Sequence, residues 1–250
     1  MDTTLPSQRL DLELVRRKLV KSRARAQSLI AGGQVSVGGS VTIKTTRQVT
    51  ALTDIELSDQ TDSWVGRGAH KLLAALDHFG IDPRDRIAAD IGASTGGFTQ
   101  VLLRRGAKKI YAVDVGHSQI NAEIARDPRV VNLEKTNARD LTAAHIPEPL
   151  GIIVADVSFI SLKLALPAAL SLAANGAVLI ALVKPQFEVG KGNVGKGGIV
   201  RDPDLVATVP VDLEGWINTH SGWRSLGIID SPIEGSDGNH EFLLGACYDG

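Results

Sequence analysis

Scarcity narrows the possibilities for this chain first. Its 250 residues include one cysteine, Cys247, one methionine and only 4% aromatic residues. A single cysteine excludes an intramolecular disulfide and any multi-cysteine zinc site, and no metal is expected. No charged-then-apolar leader is recognisable, and no apolar run approaches the roughly 20 residues of a membrane helix. The cytoplasm is therefore the expected compartment, with no membrane partner. Net charge is also nearly lacking, at −1, but the balance is uneven. From Arg9 to Arg47 nine Lys/Arg face only Asp11 and Glu13, an excess of seven positive charges. A basic module joined to a more acidic remainder suggests a polyanion as partner for the first.

What is present is ordinary globular composition, 43% hydrophobic and 22% charged, in a chain long enough for one large domain and one small. Residues 1–60 read as the small domain, 61–66 as a linker and 67–250 as the large one, with a monomer expected. Within Arg9–Val20 the apolar residues Leu12, Val15 and Leu19 suggest a helical stripe. Ser22 is placed to cap a second helix over 23–31, with Ala26, Leu29 and Ile30 inward and Gly32-Gly33 ending it. Gln34–Val37 and Val41–Ile43 then read as a hairpin turning at Gly38-Gly39. Lys21, Arg23 and Arg25 stand at the positive N-terminal end of the second helix, where phosphate binds well. Trp64-Val65, after the polar linker, is an apolar pair suited to docking the two domains.

The large domain is organised around Asp90-Ile91-Gly92-Ala93-Ser94-Thr95-Gly96-Gly97-Phe98. A short apolar run ends in an acid, a glycine-rich turn follows, and Thr99–Leu103 looks like the start of a helix. Strand, glycine turn and helix form the usual cradle for a nucleotide-like ligand at the carboxyl edge of an α/β sheet. The spacing is neither the Gly-x-Gly-x-x-Gly of dinucleotide enzymes nor a P-loop. Downstream, apolar runs at 109–113, 130–133, 151–155 and 177–183 alternate with helical stretches at 97–105, 118–126, 161–173 and 203–220. That alternation predicts a doubly wound, mostly parallel α/β sheet closed by a hairpin-like pair near 224–229 and 241–246. Acids and a lysine end several strands. Asp114 could accept from both ribose hydroxyls of an adenosine, and Asn137 or Asp140 could meet the adenine edge. Asp156 and Lys184 close two buried runs; Lys71 and Glu241 are the further acid and base that could join them.

Two resemblances sharpen this reading. Arg9-Leu10-Asp11, Ser22–Ala26 and Ile30–Gly39 resemble the ribosomal-protein S-four-like RNA-binding domain. Arg67–Leu72, Asp90–Thr99, Asp156–Leu162 and Val183–Glu188 resemble, in order and along essentially the whole chain, the TlyA family. Those are ribosomal RNA 2′-O-methyltransferases historically labelled hemolysin A, with an FtsJ-like catalytic domain of the class I (Rossmann-like) fold. The resemblance implies S-adenosylmethionine as cofactor, ribosomal RNA or its subunits as partner, and a cytidine ribose as acceptor. It implies a Lys-Asp-Lys-Glu tetrad on Lys71, Asp156, Lys184 and Glu241. Cofactor contacts are expected from Asp90, Gly92, Ala93, Ser94, Gly96, Gly97, Phe98, Asp114 and Asn137, and RNA contacts from Arg9, Lys21, Arg23, Arg25, Lys44, Arg67 and Lys191. Two departures stand out. Asp62-Ser63 precedes Trp64 where the family carries an arginine, and a duplicated Val-Gly-Lys-Gly (189–197) suggests a mobile basic loop.

A ribose hydroxyl is a poor nucleophile, so the tetrad must deprotonate and align it. A partly buried lysine gives up its proton more readily than one in water, which suits Lys184 as base, oriented by Asp156, with Lys71 and Glu241 holding the hydroxyl. Rival chemistries fit less well. Pyrimidine carbon-5 transfer needs a nucleophilic cysteine, and Cys247 falls in the last strand, expected to be buried; amino-group transfer usually shows Asn/Asp-Pro-Pro-aromatic where Asp156-Val157-Ser158-Phe159 stands. The alternatives to an enzyme of this kind are an RNA-binding assembly factor with a vestigial fold and a membrane-active hemolysin.

Overall fold

Two buried carboxylates decide how the N-terminal residues pack. In the computed structural model, which describes residues 6–20, 22–57, 64–235 and 238–250, the chain splits into two units, Met1–Arg67 and Gly68–Gly250. The first contains β1 (Ser7–Arg9), α1 (Leu10–Arg16), α2 (Arg23–Ala31), β2 (Val35–Val37), β3 (Ser40–Val41), β4 (Gln48–Thr50) and β5 (Ile55–Leu57). β1 pairs antiparallel with β4, and β2 lies between β3 and β5. Ser22 caps α2 by accepting from the Arg25 amide, and Ala26, Leu29 and Ile30 are buried, as the pattern predicts.

The stripe assigned to α1 is corrected. Leu10, Asp11, Glu13 and Leu14 face inward, while Leu12 and Leu19 stay 39% and 40% exposed. The reason is electrostatic. A buried carboxylate must be paired, and Asp11 accepts from Arg9, Arg23 and Gln27, each at 2.9 Å. Glu13 accepts from Arg16 and from Arg17, the latter at 2.7 Å, and from Gln8. Arg17 also donates to the carbonyls of Thr50, Ala51 and Thr53. Polar residues thus occupy the face that an apolar stripe would have claimed. The hairpin return is shorter than predicted, since Ile43 follows β3 outside any strand.

The second unit is a seven-stranded sheet flanked by helices. Its elements are α3 (Gly68–Phe79), β6 (Ile87–Ile91), α4 (Gly97–Arg104), β7 (Lys109–Val113), α5 (Ala122–Ala125), β8 (Val130–Leu133), β9 (Leu150–Ala155), α6 (Leu162–Ala165), α7 (Pro167–Leu170), β10 (Ala173–Val183), α8 (Pro185–Glu188), α9 (Pro203–Asn218), β11 (Trp223–Asp230) and β12 (Phe242–Tyr248). The strand order is β11-β12-β10-β9-β6-β7-β8, with β12 antiparallel to both neighbours and the rest parallel. The closing hairpin-like pair is therefore where the sequence placed it.

Two helices depart from expectation. The predicted helix over 118–126 shrinks to α5, capped by Asn121. The one over 161–173 is two short helices, α6 and α7, with Pro167 at the first position of the second, where its missing N–H costs nothing; Ala173 already belongs to β10. The central strands are nearly all apolar and buried, including Ile152–Ala155 and Leu179–Val183, as strands covered on both faces must be. This buried sheet fixes where each strand ends, and those ends build the site.

Candidate active site

The chain moves outward from β6 to β7 on one side and reaches β9 on the other, so the sheet's topological switch point lies between β6 and β9. Ligands of open α/β sheets sit there, outside the carboxyl ends of the strands. A cavity of about 550 Å³ occupies that position, lined by Gly92, Ser94, Asp114, Asn137, Asp156 and apolar groups including Val113, Val115 and Ile160. Its size is within the range of small-molecule sites, roughly 300–1,000 Å³.

The turn after β6 is built for close approach. Gly92 has φ +85, and a Cβ there would lie 2.5 Å from the backbone oxygen of Asp156. Only glycine lets the two strand ends meet. Gly96 adopts φ +93 at the start of α4. Ser94, with φ +47, donates its amide to Asp114 Oδ2 at 2.8 Å, while the Gly116 amide donates to Oδ1 at 2.7 Å. Each carboxylate oxygen keeps a further lone pair for a ligand. Asn137 Oδ1 accepts from the Arg139 amide at 3.1 Å, which leaves its NH₂ for the cavity.

Four of the nine proposed cofactor residues, Gly92, Ser94, Asp114 and Asn137, line the cavity. The others stand behind it. Ala93 and Phe98 are buried, Phe98 packs on Gly68, and Gly96 faces Ile120 and Ile124. Gly97 opens α4 as a buried residue. Asp140 is exposed and does not line the cavity.

Asp90 is fully buried and accepts from Thr99 Oγ1 at 2.6 Å; its Oδ1 has no hydrogen-bond partner. Burial above all, with Asp156 and Asp114 adding negative charge, pushes its carboxyl up to about 7. Three carboxylates thus converge on one sheet edge, a setting that favours a cationic ligand.

Beside the cavity the tetrad candidates form two ion pairs. Lys184 Nζ lies 2.6 Å from Asp156 Oδ1 and donates to Ser158 Oγ at 3.0 Å. Lys71 Nζ donates to Glu241 Oε2 across 170 residues of sequence. Lys71 is buried in α3 beside Leu72. The pairs are brought together by backbone. Val183 pairs with Phe242 in the β10–β12 register, which puts Lys184 and Glu241 at the next step beyond. Gly68, one turn before Lys71 on α3, lies against Asp156: a Cβ there would sit 3.4 Å from Oδ2.

Several residues at this edge escaped the sequence reading. Phe159 is 92% exposed at the cavity rim, with φ +66, and its ring lies 5.2 Å from that of Phe187. A non-glycine residue in the left-handed region costs about 1–3 kcal/mol and marks candidate functional positions. No sequence signal predicts such a φ at a phenylalanine. Gln119 and Arg139 also line the cavity. The duplicated loop over 189–197, expected to be mobile, and the residues after it carry hydrogen bonds. Asn193 Nδ2 donates to the Val189 carbonyl, the Gly195 amide to Ile199 O, and Asn239 bonds to Gly198 and Val200.

Among the RNA candidates, Arg9 and Arg23 are partly committed to Asp11, whereas Arg25 and Lys44 are exposed. Arg67 is half-buried. Lys21, the side chain of Lys191, and Asp62-Ser63 lie outside the described residues. Cys247 is half-buried rather than buried, and burial pushes its thiol up, away from the thiolate a nucleophile needs. No helix among the described residues is long and apolar enough to cross a membrane.

Residues 64–248 match the FtsJ-like methyltransferase family, and residues 8–44 match the S4 domain. The chain is 48% identical over 94% of its length, and 88% of the relative's, to the 16S/23S rRNA (cytidine-2′-O)-methyltransferase TlyA of Mycobacterium tuberculosis. It is 38% identical to Hemolysin A of Brachyspira hyodysenteriae, over 94% of this chain and 98% of that one. Among solved structures, a hemolysin-named protein of Streptococcus thermophilus superposes with a TM-score of 0.72 at 35% identity, covering 98% of this chain and 90% of that one.

Proposed function

The chain belongs to the FtsJ-like methyltransferase family, in its TlyA branch, and from that premise we propose that it transfers a methyl group from S-adenosylmethionine to a ribose 2′-hydroxyl, that of a cytidine, in ribosomal RNA. One observation carries the reading: Asp156, which with Asp114 lines the cavity, is paired with Lys184, and the β10–β12 register sets Glu241, paired with Lys71, beside Lys184.

The cavity suits the cofactor. Asp114 presents spare acceptor capacity for ribose hydroxyls, Asn137 a free amide, and Val113, Val115 and Ile160 an apolar slot for a flat ring. Asp90 Oδ1, buried and without a partner, is a natural counter-charge for an ammonium group behind the turn. S-adenosylmethionine, when bound, supplies an electrophilic methyl on a sulfonium.

The chain's own side chains do the rest. Lys184 would accept the proton of the ribose hydroxyl, and Asp156 and Ser158 fix the direction of its Nζ. Lys71 donates to the ribose oxygen while Glu241 holds Lys71 in place. General base action contributes about 10²–10⁴-fold, whereas alignment can remove roughly 7–11 kcal/mol of barrier. Most of the rate therefore rests on how rigidly the two pairs hold the hydroxyl in line. Phe159, exposed at the rim, offers a face on which the target base can stack. Phosphate contacts from the N-terminal module, matched to the S4 domain, bring the RNA to this edge.

The test is direct. The protein is incubated with ribosomal subunits lacking the modification and methyl-labelled cofactor, and the digested nucleosides are analysed. A 2′-O-methylcytidine is expected; label on a base, or none, would overturn the proposal. Lys184→Ala should abolish transfer while leaving cofactor affinity within about twofold, since Lys184 does not line the cavity.

A further inference from the structure

One buried polar side chain near the site has no part in the chemistry above. Asn239 is 3% exposed. Its Oδ1 accepts from the Val200 amide at 3.1 Å, and its Nδ2 donates to the Gly198 carbonyl at 2.9 Å. The side-chain amide therefore imitates a strand neighbour, satisfying one donor and one acceptor of the 195–201 loop. That loop is not held by this alone, since Gly195 bonds to Ile199 and Gly198 to Gly195. Yet Asn239 is its tie to a segment about forty residues further along the chain.

The other end of the tie is the tetrad. Asn239 precedes Glu241 by two residues, and its own carbonyl accepts from the Gly235 amide at 3.0 Å. Gly235 is the floor beneath the Glu241 carboxylate, because a Cβ there would lie 2.6 Å from Glu241 Oε1. The Glu241 carbonyl accepts from the Ser231 amide at 2.9 Å. Backbone and side chain of Asn239 thus bridge the loop on one side and the support of the Lys71–Glu241 pair on the other. The loop carries Lys196 and Arg201, both exposed, the kind of cations that meet RNA phosphate.

We propose that Asn239 is a positioning residue that couples the cationic 195–201 loop to the carboxylate of Glu241, so that RNA seated on the loop stiffens the Lys71–Glu241 pair. This rests on the methyl-transfer reading for its kinetic consequence, but not for the physical coupling. A lost buried amide that leaves Val200 N–H and Gly198 C=O without partners has an ample energetic reason to loosen both segments. Because alignment dominates the barrier, that loosening must register in kcat rather than only in RNA affinity.

Two measurements separate this from a merely local role. Hydrogen exchange on the full chain, with S-adenosylmethionine present, compares the parent with Asn239→Ala. Peptides covering 195–201 and 239–241 should both exchange faster, by about 10-fold or more, with the β6–β9 core unchanged. Loosening of the loop alone, with 239–241 still protected, would overturn the coupling, and so would general loss of core protection. This readout survives even if the protein methylates no ribose at all. Second, Asn239→Ala should lower kcat by about 10-fold with cofactor affinity unchanged. The kcat effect should disappear when both variants are made in a Glu241→Gln background, the signature of residues acting as a unit. An Asn239→Ala enzyme with parental kcat, or an equal loss in both backgrounds, would refute it. Asn239→Asp, which keeps the acceptor for Val200 but loses the donor to Gly198, should fall between parent and Ala in exchange; an Asp variant looser than Ala would also count against the clamp.

Discussion

At the scale of single residues, Gly92 and Asp90 set opposite demands on the same turn. Gly92 combines φ +85 with a Cβ position 2.5 Å from the Asp156 carbonyl oxygen, so Gly92→Ala must both strain the backbone and push β9 away from β6. Calorimetry should show cofactor affinity falling by at least about 10-fold, with transfer activity lost alongside. Asp90 is costly in a different way. Its carboxyl is pushed from 3.8 up to about 7, chiefly by burial. The folded state therefore binds the proton more tightly than the unfolded state. The stability this contributes is present below the unfolded value and is lost as pH rises from about 4 through about 7. Asp90→Asn, which stays neutral, should raise the melting temperature of the cofactor-free protein at pH 8 and change it little at pH 4.5. A gap between variant and parent that does not widen with pH would show that Asp90 does not titrate in this window. The same variant should bind S-adenosylmethionine more weakly, because the charge that destabilises the free protein is the one an ammonium would neutralise.

At the scale of elements, the N-terminal helices are joined through buried carboxylates as well as through the apolar cluster of Leu10, Leu14, Ala26, Leu29 and Ile30. Asp11 on α1 binds Arg23 and Gln27 on α2, and the guanidinium of Arg9 holds its carboxyl far below the usual range. Arg16 and Arg17 hold Glu13 down to about 2. Depressed folded values mean stability that is present above the unfolded values and lost as pH falls through them. The N-terminal unit should therefore lose protection from exchange as pH drops from about 4.5 toward 2, the opposite trend to that of Asp90. Removing one partner from such a buried network is severe, about 3–5 kcal/mol. Asp11→Ala should accordingly expose residues 10–31 to limited proteolysis at pH 7 while the Gly68–Gly250 unit resists; equal resistance of both would refute the clamp. This network also explains what the sequence could and could not convey. The runs Lys109–Val113 and Val130–Leu133 were legible to the residue, because a buried parallel strand announces itself in composition. The inward face of α1 was not, because two acids sit where apolar residues normally would. β1, β4 and β5, at three residues each, are too short to show a period. In the site, Asp114, Asp156 and Lys184 were legible from their place at strand ends. The pairing of Lys71 with Glu241, the amide clamp of Asn239 and the left-handed Phe159 depend on tertiary contacts or a backbone angle that leave no local signature.

At the scale of the molecule, charge is divided in a way that fixes how the two units share the work. The excess of positive charge lies between Arg9 and Arg47, but four of those nine residues, Arg9, Arg16, Arg17 and Arg23, are tied to Asp11 and Glu13. Their charge still shapes the field of the module, while the exposed Arg25 and Lys44 are freer to seat phosphates. Phosphate contacts release counterions, and each one lost from single-stranded or duplex RNA should lower the salt slope of log affinity by roughly 0.7–0.9. The double variant Arg25→Glu/Lys44→Glu should therefore bind ribosomal RNA more weakly at low salt, with a slope shallower by about 1.5. Its affinity for S-adenosylmethionine should be unchanged, because neither residue lines the cavity. If binding weakens with the slope intact, the two side chains do not touch phosphate, and recognition must rest on the committed arginines or on the 195–201 loop. In saturating RNA the same variant should recover most of its kcat. On the proposed mechanism the module raises the local concentration of substrate, whereas alignment at the reacting hydroxyl falls to the two ion pairs at the edge of the sheet.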